Sequence, residues 1–153
     1  MIRLPAATFT DPWGPLAVSG IKTLETRKGP LLSGFQGVLV IHRSLAPCAD
    51  AGLERWGLSV PPRPEGWPTD DRGMMLGVVF VGETSRPKGR SPLEDLATLQ
   101  RRACFVDIED RYLTDLLKAA WFPAPLSARG RQSRFMVEVP RAFLPDWALS
   151  ETG

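Results

Sequence analysis

Histidine and cysteine are scarce in this sequence, and their scarcity argues against several kinds of site. Among 153 residues there is one histidine, His42, and there are two cysteines, Cys48 and Cys104, far apart in the chain. A structural zinc site needs four such ligands at close spacing, and a disulfide framework needs more cysteines. We therefore expect no metal and no other cofactor. The motifs GxSxG, GxGxxG and GxxxxGK[ST] are also missing, which argues against a serine-hydrolase elbow and the usual phosphate-binding loops.

Long apolar runs are missing as well. The longest, residues 74–81, has the length of a buried strand and falls short of the ~18–20 residues that cross a bilayer. The first residues include Arg3, Pro5 and Asp11, where a secretory signal peptide would have an unbroken apolar segment. We therefore expect a cytoplasmic protein without membrane contact.

The charges are nearly balanced, with 19 Lys+Arg against 17 Asp+Glu. Basic residues concentrate in two stretches, 86–90 and 129–134, which glycine and proline mark as loops. Such local clusters suit a few positioned contacts with anions better than broad electrostatic binding of duplex DNA. The length and the 43% hydrophobic fraction fit a single domain that covers residues 1–153.

Hydrophobic patterning predicts about five to six short strands with two to four peripheral helices, which is an α+β fold. Apolar positions in 110–121 fit a helical period, but Tyr112-Leu113-Thr114 can equally begin a strand, so both assignments stay open. A helix is predicted for 92–102 with Ser91 as its N-cap. Prolines and charges predict a surface loop at 59–73, and residues 146–153 are expected to form a frayed tail.

One stretch combines a helix end, a turn and three ionisable residues. A helix is predicted to begin after Asp11, which is its N-cap, and to end at Gly20. A turn and then a strand follow. Glu25 and Arg27 share a face of that strand because residues two apart lie about 6.6–6.8 Å from each other on the same side. Lys22 joins them only if it belongs to the turn. From the pattern alone, the cluster is either the wall of a polar pocket or a solvated ion-pair strip worth ~0–1 kcal/mol per pair.

The same stretch, GIKTLETR at residues 20–27, resembles the signature GxKxxExR of the ASCH domains, a branch of the PUA-like superfamily. Further segments resemble the endothelium-overexpressed lipopolysaccharide-associated factor family, namely 12–13, 30–33, 40–43, 81–84, 111–114, Trp121, 125–130 and 135–140. Together they cover roughly residues 4–145. The resemblance implies a small, mixed, PUA-like β-barrel wrapped by helices, with a cleft beside the signature turn.

The resemblance also implies that RNA or a modified nucleotide binds in this cleft. Its ligand-binding residues would be Lys22, Glu25 and Arg27, with Trp13, His42 and Arg43 as additions from the neighbouring matched segments. A cationic side chain can hold a phosphate, an aromatic ring can stack on a base, and Glu25 can accept from an exocyclic amine. Core packing of Trp13 and a hydrogen-bonded strand-end role for His42 are the competing interpretations.

Some ASCH proteins are amidohydrolases that remove the acetyl group of N4-acetylcytidine with a lysine, a threonine three residues later and a distant glutamate. Lys22 matches the lysine, Glu25 stands in place of the threonine, and Glu83 is a candidate for the third residue. A carboxylate beside Lys22 raises the pKa of a lysine and makes it a poor base, which argues against this activity. Hydrolysis of a modified nucleoside or of RNA is nevertheless kept as the alternative to binding. Its catalytic residues would be Lys22, Glu25 and Glu83.

A protein-interaction domain is a second alternative. The proline-rich residues 61–64 and Trp67 look exposed and suited to a protein partner.

Overall fold

The computed structural model describes residues 1–90 and 94–152, which form one mixed six-stranded sheet with three α-helices. The strands are β1 (Ile2–Phe9), β2 (Leu24–Arg27), β3 (Gly37–Arg43), β4 (Met74–Ser85), β5 (Tyr112–Ser127) and β6 (Phe135–Val139). Their order across the sheet is β2-β5-β4-β3-β1-β6. Strands β1 and β3 pair in parallel and all other described pairs are antiparallel. The predicted α+β class and strand number are confirmed.

The sheet is not closed into a barrel, so the expected closure is wrong. Strands β2 and β6 form its two edges, and within the described residues no pairing joins them. Both edge strands are short, four and five residues long. Strand β2 covers only Tyr112–Asp115 of the much longer β5. The pairing of β4 with β5 is irregular at three places, where the register shifts.

The ambiguous segment 110–121 is a strand from Tyr112 onward. Strand β5 continues through Pro123 and Pro125, although proline cannot donate to a strand pairing. Both prolines lie between Trp121 and Leu126, where the register with β4 shifts. Strand β2 does not reach this part of β5, so the missing proline N–H groups break no pairing on that side.

The helices are α1 (Trp13–Val18), α2 (Leu96–Ala103) and α3 (Asp146–Thr152). The helix predicted from residue 92 begins at Leu96, where Asp95 is the N-cap and accepts from the Thr98 N–H at 2.8 Å. The predicted cap Ser91 lies outside the described residues. The expected frayed tail is instead α3, which buries Ala148. None of these helices has the length and apolar character needed to cross a bilayer.

Alternate residues of β1, β3 and β4 pack on opposite faces of the sheet, as the two-residue period of a strand requires. One face, covered by α3, buries Leu4, Ala6, Val38, Val40, Val78 and Ala148. The other, covered by α1, buries Ala7, Phe9, Ala17, Val18, Leu39 and Ile41. A smaller cluster joins α2 to β2 and β5 through Leu24, Leu99, Ala103, Ile108 and Leu113. The end of α1, the start of β2 and the end of α2 therefore meet at one place.

Candidate functional site

The turn between α1 and β2 is fixed by its backbone. Gly20 has a φ of +81°, which glycine adopts without the penalty that other residues pay. The Lys22 N–H donates to the Leu16 carbonyl at 2.9 Å, and the Thr23 N–H donates to the Arg102 carbonyl of α2 at 2.9 Å. Lys22 therefore lies in the turn, before β2 begins, which is the condition under which it can join Glu25.

Three charged side chains converge at this turn. The Lys22 Nζ lies 3.4 Å from Glu25 Oε1, and the Arg27 Nε donates to Glu25 Oε2 at 3.2 Å. Glu25 Oε1 also accepts from the Thr26 N–H at 3.0 Å. The side chain of Lys22 is 1% exposed, that of Glu25 8% and that of Arg27 25%. The cluster is therefore a buried ion-pair chain and not a solvated strip.

Burial lowers the pKa of Lys22 below its usual range, against the opposing effects of Glu25 and the Cys104 thiol, which raise it. Glu25 raises the pKa of Lys22, as expected, but burial outweighs this effect and the net shift is downward. The reason is that almost no water reaches the ammonium group, whose side chain is 1% exposed. The ammonium group donates to the Ala103 carbonyl at the end of α2.

A cavity of about 180 Å³ opens beside these residues. Besides Lys22, Glu25 and Arg27, it is lined by Thr8, Phe9, Thr10, Trp13, Thr26, Phe105 and Arg111. A cavity of roughly 150 Å³ is large enough for a benzene ring, so this one has room for a single ring system.

Aromatic rings define two walls of the cavity. Trp13 and Phe105 meet edge to face with centroids 5.7 Å apart, and the Trp13 Nε1–H donates to the Cys104 carbonyl at 2.9 Å. The Arg111 guanidinium lies over Phe105 at 4.7 Å and donates to the Thr26 carbonyl at 3.2 Å. Trp13 is thus oriented by a hydrogen bond and borders the cavity.

Two of the predicted ligand-binding residues lie elsewhere. The Nε2 of His42 is 2.9 Å from the Ala128 carbonyl and its Nδ1 is 3.1 Å from Thr8 Oγ1, so the ring serves as a hydrogen-bonded strand-end residue. Arg43 pairs with Asp11 at 3.3 Å and with Asp71. Asp11, expected as the N-cap of α1, is therefore engaged in an ion pair instead, and α1 has no side-chain cap.

The predicted catalytic residue Glu83 is exposed on β4 and does not line the cavity. The structure therefore brings Lys22 and Glu25 together but leaves Glu83 apart from them. No three His, Cys, Asp or Glu residues cluster as a metal site in the described ranges 1–90 and 94–152.

Two of the residues suggested for a protein partner, Arg63 and Trp67, are engaged within the protein. The Trp67 Nε1–H donates to Asp71 Oδ2 at 2.8 Å, and its ring packs edge to face on Trp121 at 5.4 Å. Arg63 pairs with the same Asp71 at 2.8 Å. The idea that Trp67 stands exposed for a partner is therefore wrong.

Sequence reasoning missed several lining residues. Arg111 begins a segment that resembles the related family, so a signal for it existed. Phe105 and Thr10 carried no signal, because only the packing of α2 against β2 and the end of β1 bring them to the cavity.

No family model matches this sequence. A crystal structure described as ASCH from Zymomonas mobilis is similar to it, with 13% sequence identity over 90% of this chain and 88% of that chain and a TM-score of 0.48. At this sequence identity and TM-score, neither a ligand nor a binding site can be inferred for one protein from the other. The similar structure is described as an ASCH protein, the family whose signature residues 20–27 of this chain resemble.

Proposed function

We propose that this protein binds RNA or a modified nucleotide by admitting one base into the cavity beside Lys22 and Glu25. The observation that carries the proposal is a buried donor and a buried acceptor, 3.4 Å apart, in the wall of a hollow bordered by Trp13 and Phe105. Unstacked bases are recognised by hydrogen bonds along their edges and by contact of their faces with aromatic or guanidinium groups. This cavity offers both.

Hydrogen-bonding capacity remains for a ligand. An ammonium group has three donors, and among the described residues Lys22 uses two, toward Ala103 and Glu25. Glu25 Oε2 accepts from Arg27 and has a second lone pair. An available donor therefore lies next to an available acceptor. A base edge with an exocyclic amine beside a ring nitrogen or carbonyl complements this pair.

The size of the cavity limits which part of a nucleotide can enter it. Pockets that enclose whole drug-sized ligands measure about 300–1,000 Å³, and this one is smaller. A base therefore fits inside, while its sugar and phosphate stay at the mouth. Arg27, which is 25% exposed, and Arg111 border the cavity and can contact that phosphate.

The test measures binding of a fluorescein-labelled, mixed-sequence, single-stranded RNA by fluorescence anisotropy. We expect Lys22→Met to weaken binding at least about tenfold, because a hydrogen bond from a charged group contributes about 1.5–3 kcal/mol. Lys118→Met is the matched control, since Lys118 is exposed and lies over Trp147 of α3 on the other face. Arg27→Ala is a second variant that is less buried. Equal affinities of parent, Lys22→Met and Arg27→Ala would contradict the proposal.

Hydrolysis of a modified nucleoside or of RNA is a second candidate function, favoured by the lowered pKa of Lys22. A lysine that gives up its proton more readily can act as a general base at a lower pH. Incubation with N4-acetylcytidine, and separately with RNA, should yield product with the parent protein. The product should be lost with Glu25→Gln. Absence of product from both substrates would exclude this candidate.

A further inference from the structure

The cavity beside Lys22, Glu25 and Trp13, in which we propose that a nucleobase binds, is called the base cavity below. Two neighbouring hollows are lined by positively charged side chains. A hollow of about 440 Å³ shares Arg27 and Arg111 with the base cavity and adds Lys28. Its lining also includes Gln132, which belongs as well to a third hollow of about 510 Å³. The path thus leads from the base cavity toward the loop at residues 128–132.

The third hollow is basic too. It contains Arg129, Arg131 and Arg72, of which Arg72 is paired with Asp70 at 2.9 Å. Lys28, Arg129 and Arg131 are exposed, and among the described residues none of the three makes a salt bridge. They can contact phosphate without first breaking an ion pair.

A further hollow beside the base cavity is acidic. Its volume is about 770 Å³, and it includes Lys28 and Arg111 but is lined by Asp107, Glu109 and Asp110. No aspartate or glutamate lines the two basic hollows. Phosphates that leave the base cavity are therefore attracted toward residues 128–132 and repelled from 107–110.

The loop at 128–132 is held in position beside the base cavity. Thr8 lines both the base cavity and the third hollow, and its hydroxyl donates to the Arg131 carbonyl at 3.3 Å. His42 holds the Ala128 carbonyl at 2.9 Å. Gly130 packs on the His42 ring so closely that a Cβ there would lie 2.5 Å from its Cε1 atom. His42 is thus a positioning residue for the basic loop.

We propose that the ligand is a strand of RNA and not a free nucleoside, and that its backbone phosphates lie along a basic track made of Lys28, Arg111, Arg129 and Arg131. This inference rests on the proposed function, because the base in the Lys22 cavity sets where the strand begins its path. The track adds contacts that a single nucleoside cannot make. A strand therefore binds more tightly than a short fragment, and its binding depends more steeply on salt.

The test compares labelled RNA probes of two and six nucleotides at several salt concentrations. We expect the parent protein to bind the six-nucleotide probe at least about tenfold more tightly. The double variant Arg129→Ala, Arg131→Ala should lose much more affinity for the six-nucleotide probe than for the shorter one. It should also reduce the slope of log K against log salt by about 1.4, since each single-strand phosphate contact contributes about 0.7.

The matched control is Arg3→Ala, Arg141→Ala, which removes two exposed arginines at the other end of β1. Arg3 lies about 16 Å along that strand from Thr8. Equal affinity for the two probes, or an unchanged slope in the loop variant, would overturn the track even if Lys22→Met still weakened both probes. If the parent bound neither probe, or if Lys22→Met and Arg27→Ala bound both as tightly as the parent, the proposed binding of RNA would itself be wrong.

Discussion

Lys22 combines a charge with almost complete burial. Taking an ammonium group out of water costs several kcal/mol, and a partner carboxylate offsets this only when the geometry is good. Glu25 lies close enough, but Arg27 shares the same carboxylate. With Lys22 protonated, the three side chains together leave one net positive charge at the cavity. That charge suits a ligand which carries a phosphate at its mouth.

The lowered pKa of Lys22 predicts a stability effect at alkaline pH. The ordinary pKa of a lysine is 10.5, and burial sets that of Lys22 below it. Between the two values the unfolded chain holds a proton that the folded protein has released, so the free energy of unfolding rises with pH. We expect the unfolding free energy of the parent, relative to Lys22→Met, to rise as the pH approaches 10.5. Urea unfolding at several pH values measures this difference.

Lys118→Met is again the control, because it removes one lysine charge from the surface. A difference between parent and Lys22→Met that stayed constant across the alkaline range, or fell, would show that Lys22 keeps its proton in the folded protein. The general-base role considered above would then lose its support.

At the scale of the element, local signals predicted the turn and the main strands. Gly20 marks the helix end, and the spacing of Lys22, Glu25 and Arg27 indicated that one turn residue and two strand residues could meet. Residues 37–43 form a β-branched run, 74–81 an apolar run, and 134–139 alternate between apolar and polar residues, so β3, β4 and β6 are recognisable from the sequence. These features depend on neighbours in the chain, so the sequence carries them.

Strand β5 could not be assigned from the sequence because its identity depends on its partners. Its apolar residues fit a helical period, and it contains Pro123 and Pro125, which are unfavourable inside a strand. Pairing with β4 along most of its length overrides both signals, and the register shift between Trp121 and Leu126 accommodates the prolines.

The placement of His42 and Arg43 illustrates another limit. Successive residues of a strand face opposite sides, so both could not face one cavity. Strand β3 lies between β1 and β4, and its register with β4 shifts between Ile41 and His42. The face of the sheet that each of the two residues takes depends on this pairing. Nothing near these residues in the chain encodes that register.

At the scale of the whole molecule, a buried charge network joins three separate segments. Asp71, 1% exposed at the end of the 59–73 segment, accepts from Arg43 of β3 and from Arg63 and Trp67 of its own segment. Asp11 contacts both arginines, at 3.3 and 3.5 Å. Since Asp11 follows Thr10 in the chain, the network also braces the end of β1 that lines the base cavity.

This bracing predicts that Asp71→Asn destabilises the protein by about 3 kcal/mol or more at neutral pH, because breaking a buried ion pair leaves charged partners uncompensated. Burial of Asp71 opposes its ionisation, but hydrogen bonds from Arg63, Arg43 and Trp67 lower its pKa below the ordinary 3.8. The stabilisation is therefore fully present above pH 3.8 and is lost as the pH falls through the lowered pKa of the folded protein.

Urea unfolding at pH 7 and at stepwise lower pH should show the difference in unfolding free energy between parent and Asp71→Asn shrinking toward acid. Asp70→Asn, a change at the exposed neighbour, is the matched control, and an equal effect of both variants at pH 7 would show that the network does not brace the fold.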